Sequence, residues 1–284
     1  MWRPFLLERN TADRARSPKS VTAAAIDGLG WALARLPEMA QRGGSRLLNA
    51  VLQSAEARHP VIHETLVEAL PALARHDVTR LLQAHLYRRA AGVFGLVEAL
   101  WGRPARILDK ASVTGWPQLV QYQRQGVAVI LIAGHFIDLP AGVRALAERV
   151  PVQLVARLFR HPAFRRPVAR LAQRTGGCLI DGGNPKAIVR ALQRGGTVLI
   201  LADYPLDQSP QSAPAAERIA RLAQWTGAIV LPVGCRREGG RPHLEIGAPL
   251  PLESTGDAAL QGLYQNWIEA ARIDYLWPRR IRRP

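Results

Sequence analysis

The chain has 284 residues, 48% of them hydrophobic, which is enough for a substantial core and excludes a disordered chain. Its 38 Lys+Arg exceed its 22 Asp+Glu by 16, a balance that attracts polyanions without separating an anionic lipid, an acidic carrier protein and a nucleic acid. Cys178 and Cys235 form no CxxC pair and no metal-ligand cluster, which suits a reducing compartment.

Taken in order, residues 1–20 (MWRPFLLERNTADRARSPKS) are charged and lack the apolar core of a secretory signal, so a mobile tail is expected. Nowhere does the sequence approach the ~18 to 20 apolar residues of a spanning helix, and a soluble or membrane-surface protein on the cytoplasmic side is expected. Residues 21–54 carry an interrupted amphipathic pattern. Ile26, Leu29, Leu33 and Leu36 share a face, Arg42-Gly43-Gly44 is expected to break it, and Leu47, Leu48, Val51 and Leu52 resume. With Trp31 and Arg35 beside the stripe, the segment could lie in a bilayer interface or face a core. A helical pair follows over 58–101: His63 to Leu73, then Asp77 as a cap and a long periodic helix through Leu81, Leu86, Val93 and Leu100. Residues 21–110 therefore read as a helical extension and 111–284 as a second unit.

From Gly126 strands and helices alternate. Strands are expected at 127–133, 152–157, 178–181, 197–203, 228–236 and 243–248, with helices at 140–150, 163–174, 184–194, 214–226 and 257–275. This pattern predicts an α/β fold, a mostly parallel sheet covered by helices on both faces, behind a helical N-terminal extension. The pivotal stretch is VAVILIAGHFIDLP, residues 127–140. Seven apolar residues end at Gly134-His135, as in a strand buried on both faces, and Pro140 suits the first turn of the next helix. A histidine at the carboxyl end of such a strand sits where open α/β sheets collect ligands, although a loop histidine bonded to backbone gives the same pattern. Asp138 reads either as a helix cap or as a partner of His135.

The chain lacks GxGxxG after its first strand, GxxxxGK[ST], HExxH and GxSxG, which removes the usual anchors of dinucleotide, P-loop, zincin and α/β-hydrolase chemistry. Neither cysteine stands in an electropositive turn beside a histidine, so direct transfer assisted by a general base is expected rather than a covalent nucleophile. Arg157 ends a strand before His161-Pro162 and an arginine-rich helix, where its planar fork can take a phosphate bidentately. Asp203 ends the strand TVLILAD and shares a sheet edge with His135 if the strands are parallel.

These blocks, in this order, resemble the lipid A secondary (lauroyl/myristoyl) acyltransferases of the lysophospholipid acyltransferase superfamily. The resemblance runs through the strand ending in Gly-His-Phe, the strand ending in Arg157, the run NPKAIVRALQRGGTVLILADY, the run TGAIVLPV and the closing Tyr275-Leu276-Trp277-Pro278-Arg279-Arg280, and covers about residues 55–284. It implies an acyltransferase of lipid A and lipopolysaccharide biosynthesis, peripheral to the cytoplasmic face of the inner membrane, needing no cofactor and no metal. Acyl carrier protein or acyl-CoA would be the donor and an anionic lipid the acceptor. It implies His135 as general base, with Arg157 and Asp203 toward substrate. The sequence departs from the pattern twice: the acidic residue five positions after the histidine is Pro140, and the Val-Pro-Phe-Phe-Gly loop is replaced by Asp207 to Ala213. Asp138 is the substitute partner expected to orient the His135 imidazole, so that Asp138→Asn would cripple turnover and leave folding intact. The other reading is an impaired family member that binds lipid or a partner protein. A nucleic-acid partner is not expected, because the arginines lie on several helices without interleaved aromatics.

Overall fold

The computed structural model describes residues 21–156, 179–181, 184–202 and 215–250, then 262–263, 265–267 and 269–277. The amino-terminal helices are α1 (Val21–Leu33), α2 (Glu38–Arg58), α3 (Val61–Ala69), α4 (Arg75–Trp101) and α5 (Pro104–Lys110). Then come β1 (Ser112–Thr114), α6 (Trp116–Arg124), β2 (Val129–Ala133), α7 (Leu139–Ala147), β3 (Gln153–Ala156) and β4 (Leu179–Asp181). They are followed by α8 (Pro185–Gln193), β5 (Thr197–Leu201), α9 (Ala215–Thr226), β6 (Ile229–Glu238) and β7 (Arg241–Ile246). Among the described residues seven strands form one sheet, in the order β1, β7, β6, β2, β5, β3, β4. From β6 to β4 every pairing is parallel, while β7 returns antiparallel to β6 through the positive-φ pair Gly239-Gly240 and carries β1 parallel at the edge. This is the expected α/β class.

The sheet is buried on both sides because its central strand has no polar face. All five residues of β2 are buried, and they divide by the two-residue period of a strand. Val129, Leu131 and Ala133 enter a core shared with α3, α4 and α7, including Leu66, Leu86 and Leu146. Ile130 and Ile132 enter the other, with Ile188 and Leu192 of α8 and Ile219 of α9. The amino-terminal helices thus pack on the first face of the sheet.

The expected break at Arg42-Gly43-Gly44 is not there: the chain turns at residues 34–37, before Glu38, and α2 runs unbroken through both glycines. Gly44 serves contact rather than flexibility, since a Cβ there would fall 2.6 Å from the Phe94 ring on α4. The face that α2 turns inward is polar. Gln41 donates to Glu98, Ser45 donates to the Gln41 carbonyl, and Glu56 accepts from the backbone N–H groups of Ile62 and His63 at the start of α3. Its outward face carries Met39, Leu47 and Val51, at 79%, 74% and 61% exposure. Asp77 lies inside the first turn of α4, where its charge complements the helix dipole, and Ala74 is the cap. The short edge strand β1 adds a seventh strand to the six expected.

Candidate active site

β2 ends at Ala133, whose carbonyl accepts from Ala202 N–H just past β5, and Gly134 and His135 follow at the carboxyl edge of the parallel strands. The elbow is a compact turn: Phe136 N–H donates to Gly134 C=O, and Leu139 N–H to Phe136 C=O. The Asp138 carbonyl then accepts from Ala141 and Gly142, which starts α7 with Pro140 in the first turn as expected. His135 is half-buried on this turn.

A segment from the far end of the chain closes over the elbow. Leu276 N–H donates to the His135 carbonyl at 2.7 Å and Ile137 N–H to the Asp274 carbonyl at 2.8 Å, pairing Phe136 with Tyr275 as an antiparallel bridge. The Phe136 ring, almost wholly buried, meets Trp267 and Tyr275 edge to face, and Tyr275 meets Trp277 in the same way. Such rings add to their buried area the attraction of edge to face.

Asp138 stands at the cap position of α7 but does not cap it with its side chain. Its buried carboxylate accepts from Arg88 Nη2 of α4 at 2.5 Å and from Arg237 Nε of β6 at 2.7 Å. Arg88 also donates through Nε to Asp274 at 2.7 Å. Burial works against the Arg88 charge, but Asp138 and Asp274 outweigh it and raise its pKa above the usual arginine value. Sequence reasoning reached Asp138 and missed Arg88, Arg237 and Asp274. Arg88 carried a signal in its spacing, since His85, Arg88, Gly92 and Gly95 fall at intervals of three and four on one face of α4. Gly92 leaves room for Ile137, and a Cβ on Gly95 would sit 3.6 Å from the Asp138 carboxylate.

Fully buried His85 holds the same terminal segment. Its Nδ1 lies 3.0 Å from the Ile273 carbonyl, and because a carbonyl only accepts, Nδ1 carries the proton. Burial lowers the pKa from 6.5 to about 4. Between those values the unfolded chain binds a proton that the folded chain does not, so stability falls as pH drops from 6.5 toward 4, by roughly 3 kcal/mol. Chemical denaturation at pH 7 and pH 4.5 should show this loss. His85→Asn, which can still donate to Ile273, should flatten the part of the slope that histidine causes.

A cleft of about 740 Å³ opens between α2, α4, α5 and the β6–β7 hairpin, and Asp138 and Arg237 stand on its wall. His135 is not among the residues lining it. Arg157 and Asp203 lie outside the described residues. The parallel pairings nevertheless bring the ends of β3 and β5, which lead into them, level with the end of β2. Among the described residues no group of three or more His, Cys, Asp or Glu is arranged to hold a metal ion. Burial pushes the Cys235 thiol far above its usual pKa, which argues against a thiolate there.

The model of the family described as bacterial lipid A biosynthesis acyltransferase matches residues 10–280 of this chain. No curated protein matches it. Among solved structures it is similar to the 1-acyl-sn-glycerophosphate (LPA) acyltransferase PlsC from Thermotoga maritima, at 14% identity over 80% of this chain and 94% of that one, with a TM-score of 0.37.

Proposed function

Since the chain belongs to the bacterial lipid A biosynthesis acyltransferase family, we propose that it moves a fatty acyl chain from acyl carrier protein or acyl-CoA to a hydroxyl or amine of an anionic lipid, with His135 as general base. His135 takes the acceptor's proton as its oxygen or nitrogen attacks the thioester carbonyl. The new ester or amide bond forms, the C–S bond breaks, and the thiol leaves with a proton returned by the imidazole. The observation that carries this reading is the elbow itself: a half-buried histidine at the carboxyl edge of a parallel sheet, its backbone tied on both sides. Arg157 would grip an acceptor phosphate and Asp203 would assist toward substrate, with a lipid A precursor as the natural acceptor. Asp138 serves this chemistry by holding the elbow between Arg88 and Arg237.

The protein works from the cytoplasmic surface of the inner membrane without crossing it. Among the described residues no helix is long and apolar enough to span a bilayer. The outward Met39, Leu47 and Val51 of α2, with Arg42 and Arg46 beside them, fit a helix lying in an anionic headgroup layer. Leu47→Asp should lower sedimentation with anionic vesicles by about tenfold or more, because a buried leucine is worth roughly 1.5–3 kcal/mol. Its melting temperature should not change. Equal vesicle binding in that variant would take the α2 face out of membrane contact.

The function itself is tested with purified protein, labelled acyl thioester and a lipid A precursor in vesicles. Acylated lipid and free thiol should appear together. Lipid binding with no thiol release above the blank would favour the second reading, a lipid-binding partner, for which Pro140 and the engagement of Asp138 by two arginines speak.

A further inference from the structure

We propose that Arg88 is a positioning residue for His135, acting through a clamp formed by residues 273–276 on the elbow; the catalytic half of this inference rests on the general-base reading above. His135 lies beyond the last residue of β2, outside the hydrogen bonding that fixes a strand. A pair of backbone bonds on either side of Phe136 ties it to the end of the chain, Leu276 N–H to His135 C=O and Ile137 N–H to Asp274 C=O. Both run to a segment more than 130 residues away in sequence, which must itself be held.

One face of α4 does the holding. His85 donates to the Ile273 carbonyl, and Arg88, one turn on, reaches both strands of the clamp: Asp274 through Nε and Asp138 through Nη2. The two carboxylates belong to opposite sides of the bridge, so this guanidinium is the cation shared by elbow and terminal segment. Asp138 has a second partner in Arg237, whereas among the described residues the 14% exposed Asp274 has Arg88 as its salt-bridge partner. Removing Arg88 therefore takes that partner from a largely buried carboxylate on the terminal side and favours release of that segment. The His135 carbonyl then loses its donor and the imidazole its fixed origin. A lysine cannot replace the fork, because a single ammonium does not meet two carboxylates in the two directions a guanidinium spans.

The test compares Arg88→Gln, Arg88→Lys and Asp274→Asn in the full chain by two readouts. Backbone hydrogen exchange resolved by NMR should speed about tenfold or more at Ile137 and Leu276 in Arg88→Gln, while Ile130, Leu131 and Ile132 of β2 stay protected. In acyl transfer kcat should fall about 100-fold with KM within about twofold, as expected when a reacting group is displaced by about 1 Å. Arg88→Lys should fall between wild type and Arg88→Gln. Asp274→Asn, which keeps the Arg88–Asp138 pair, gives the same pattern in a milder form should Arg88→Gln fail to fold. Unchanged exchange at the two amides overturns the clamp, and faster exchange with wild-type kcat overturns its role in catalysis. A wild-type protein that transfers no acyl chain removes the general-base reading, and the exchange data alone then decide the clamp.

Discussion

Asp138→Asn is expected to destabilise the fold by about 3 kcal/mol and to lower turnover with it. The carboxylate is 2% exposed and accepts from two guanidinium groups, Arg88 on α4 and Arg237 on β6. Breaking a buried pair by removing one partner costs about 3–5 kcal/mol, and the lower end applies here because Arg237 is one-third exposed and can turn to water. The asparagine amide cannot offset two positive charges, so Arg88 and Arg237 then repel across the space the carboxylate had bridged. For a chain of this size about 3 kcal/mol lowers the melting temperature by roughly 6–12 °C, which calorimetry or circular dichroism detects. The sequence alone predicts an intact fold for this variant, and the burial of the ion network is what changes the expectation. A melting temperature within about 2 °C of wild type would mean that the two arginines find other partners.

His135→Ala should behave in the opposite way, with little change in stability and a loss of acyl transfer on the order of 10³- to 10⁴-fold. The residue is half-buried on a turn, and its carbonyl, which receives Leu276 N–H, is a structural tie that alanine keeps. His135 is not among the buried core residues, where large-to-small substitutions are expensive. The acceptor would have to reach the thioester carrying its own proton, while binding of lipid and thioester persists. A melting temperature within about 2 °C of wild type together with this loss separates the chemical role of His135 from the anchoring role of Asp138.

The parts of the fold that could be read in the sequence are those written in runs of neighbours. Val129 to Ala133 is apolar on both strand faces, Val198 to Leu201 likewise, and intervening helices with caps such as Asn184 mark the parallel crossovers. The three residues of β1 are too short for any period to show, so the seventh strand was not legible. Gly43 and Gly44 look like a helix break, and the Phe94 ring on another helix explains why α2 needs Gly44, while Gly43 faces open space. The site divides along the same line. His135 and Asp138 announce themselves at the end of a buried strand, whereas Arg88, marked only by its spacing on α4, and Asp274 meet across 186 residues, a pairing that no local pattern shows. Arg237 is equally hidden, at the exposed end of an otherwise buried strand whose register with the elbow only the folded sheet defines.

The central claim is that the imidazole of His135 takes the proton during transfer of an acyl chain to lipid. Its most direct measurement is single-turnover formation of acylated lipid by wild type and His135→Ala, side by side, at saturating thioester and acceptor. The account predicts product from wild type and a rate at least about 10³-fold lower from the variant, with equal binding of both substrates. Equal rates in the two proteins would contradict it.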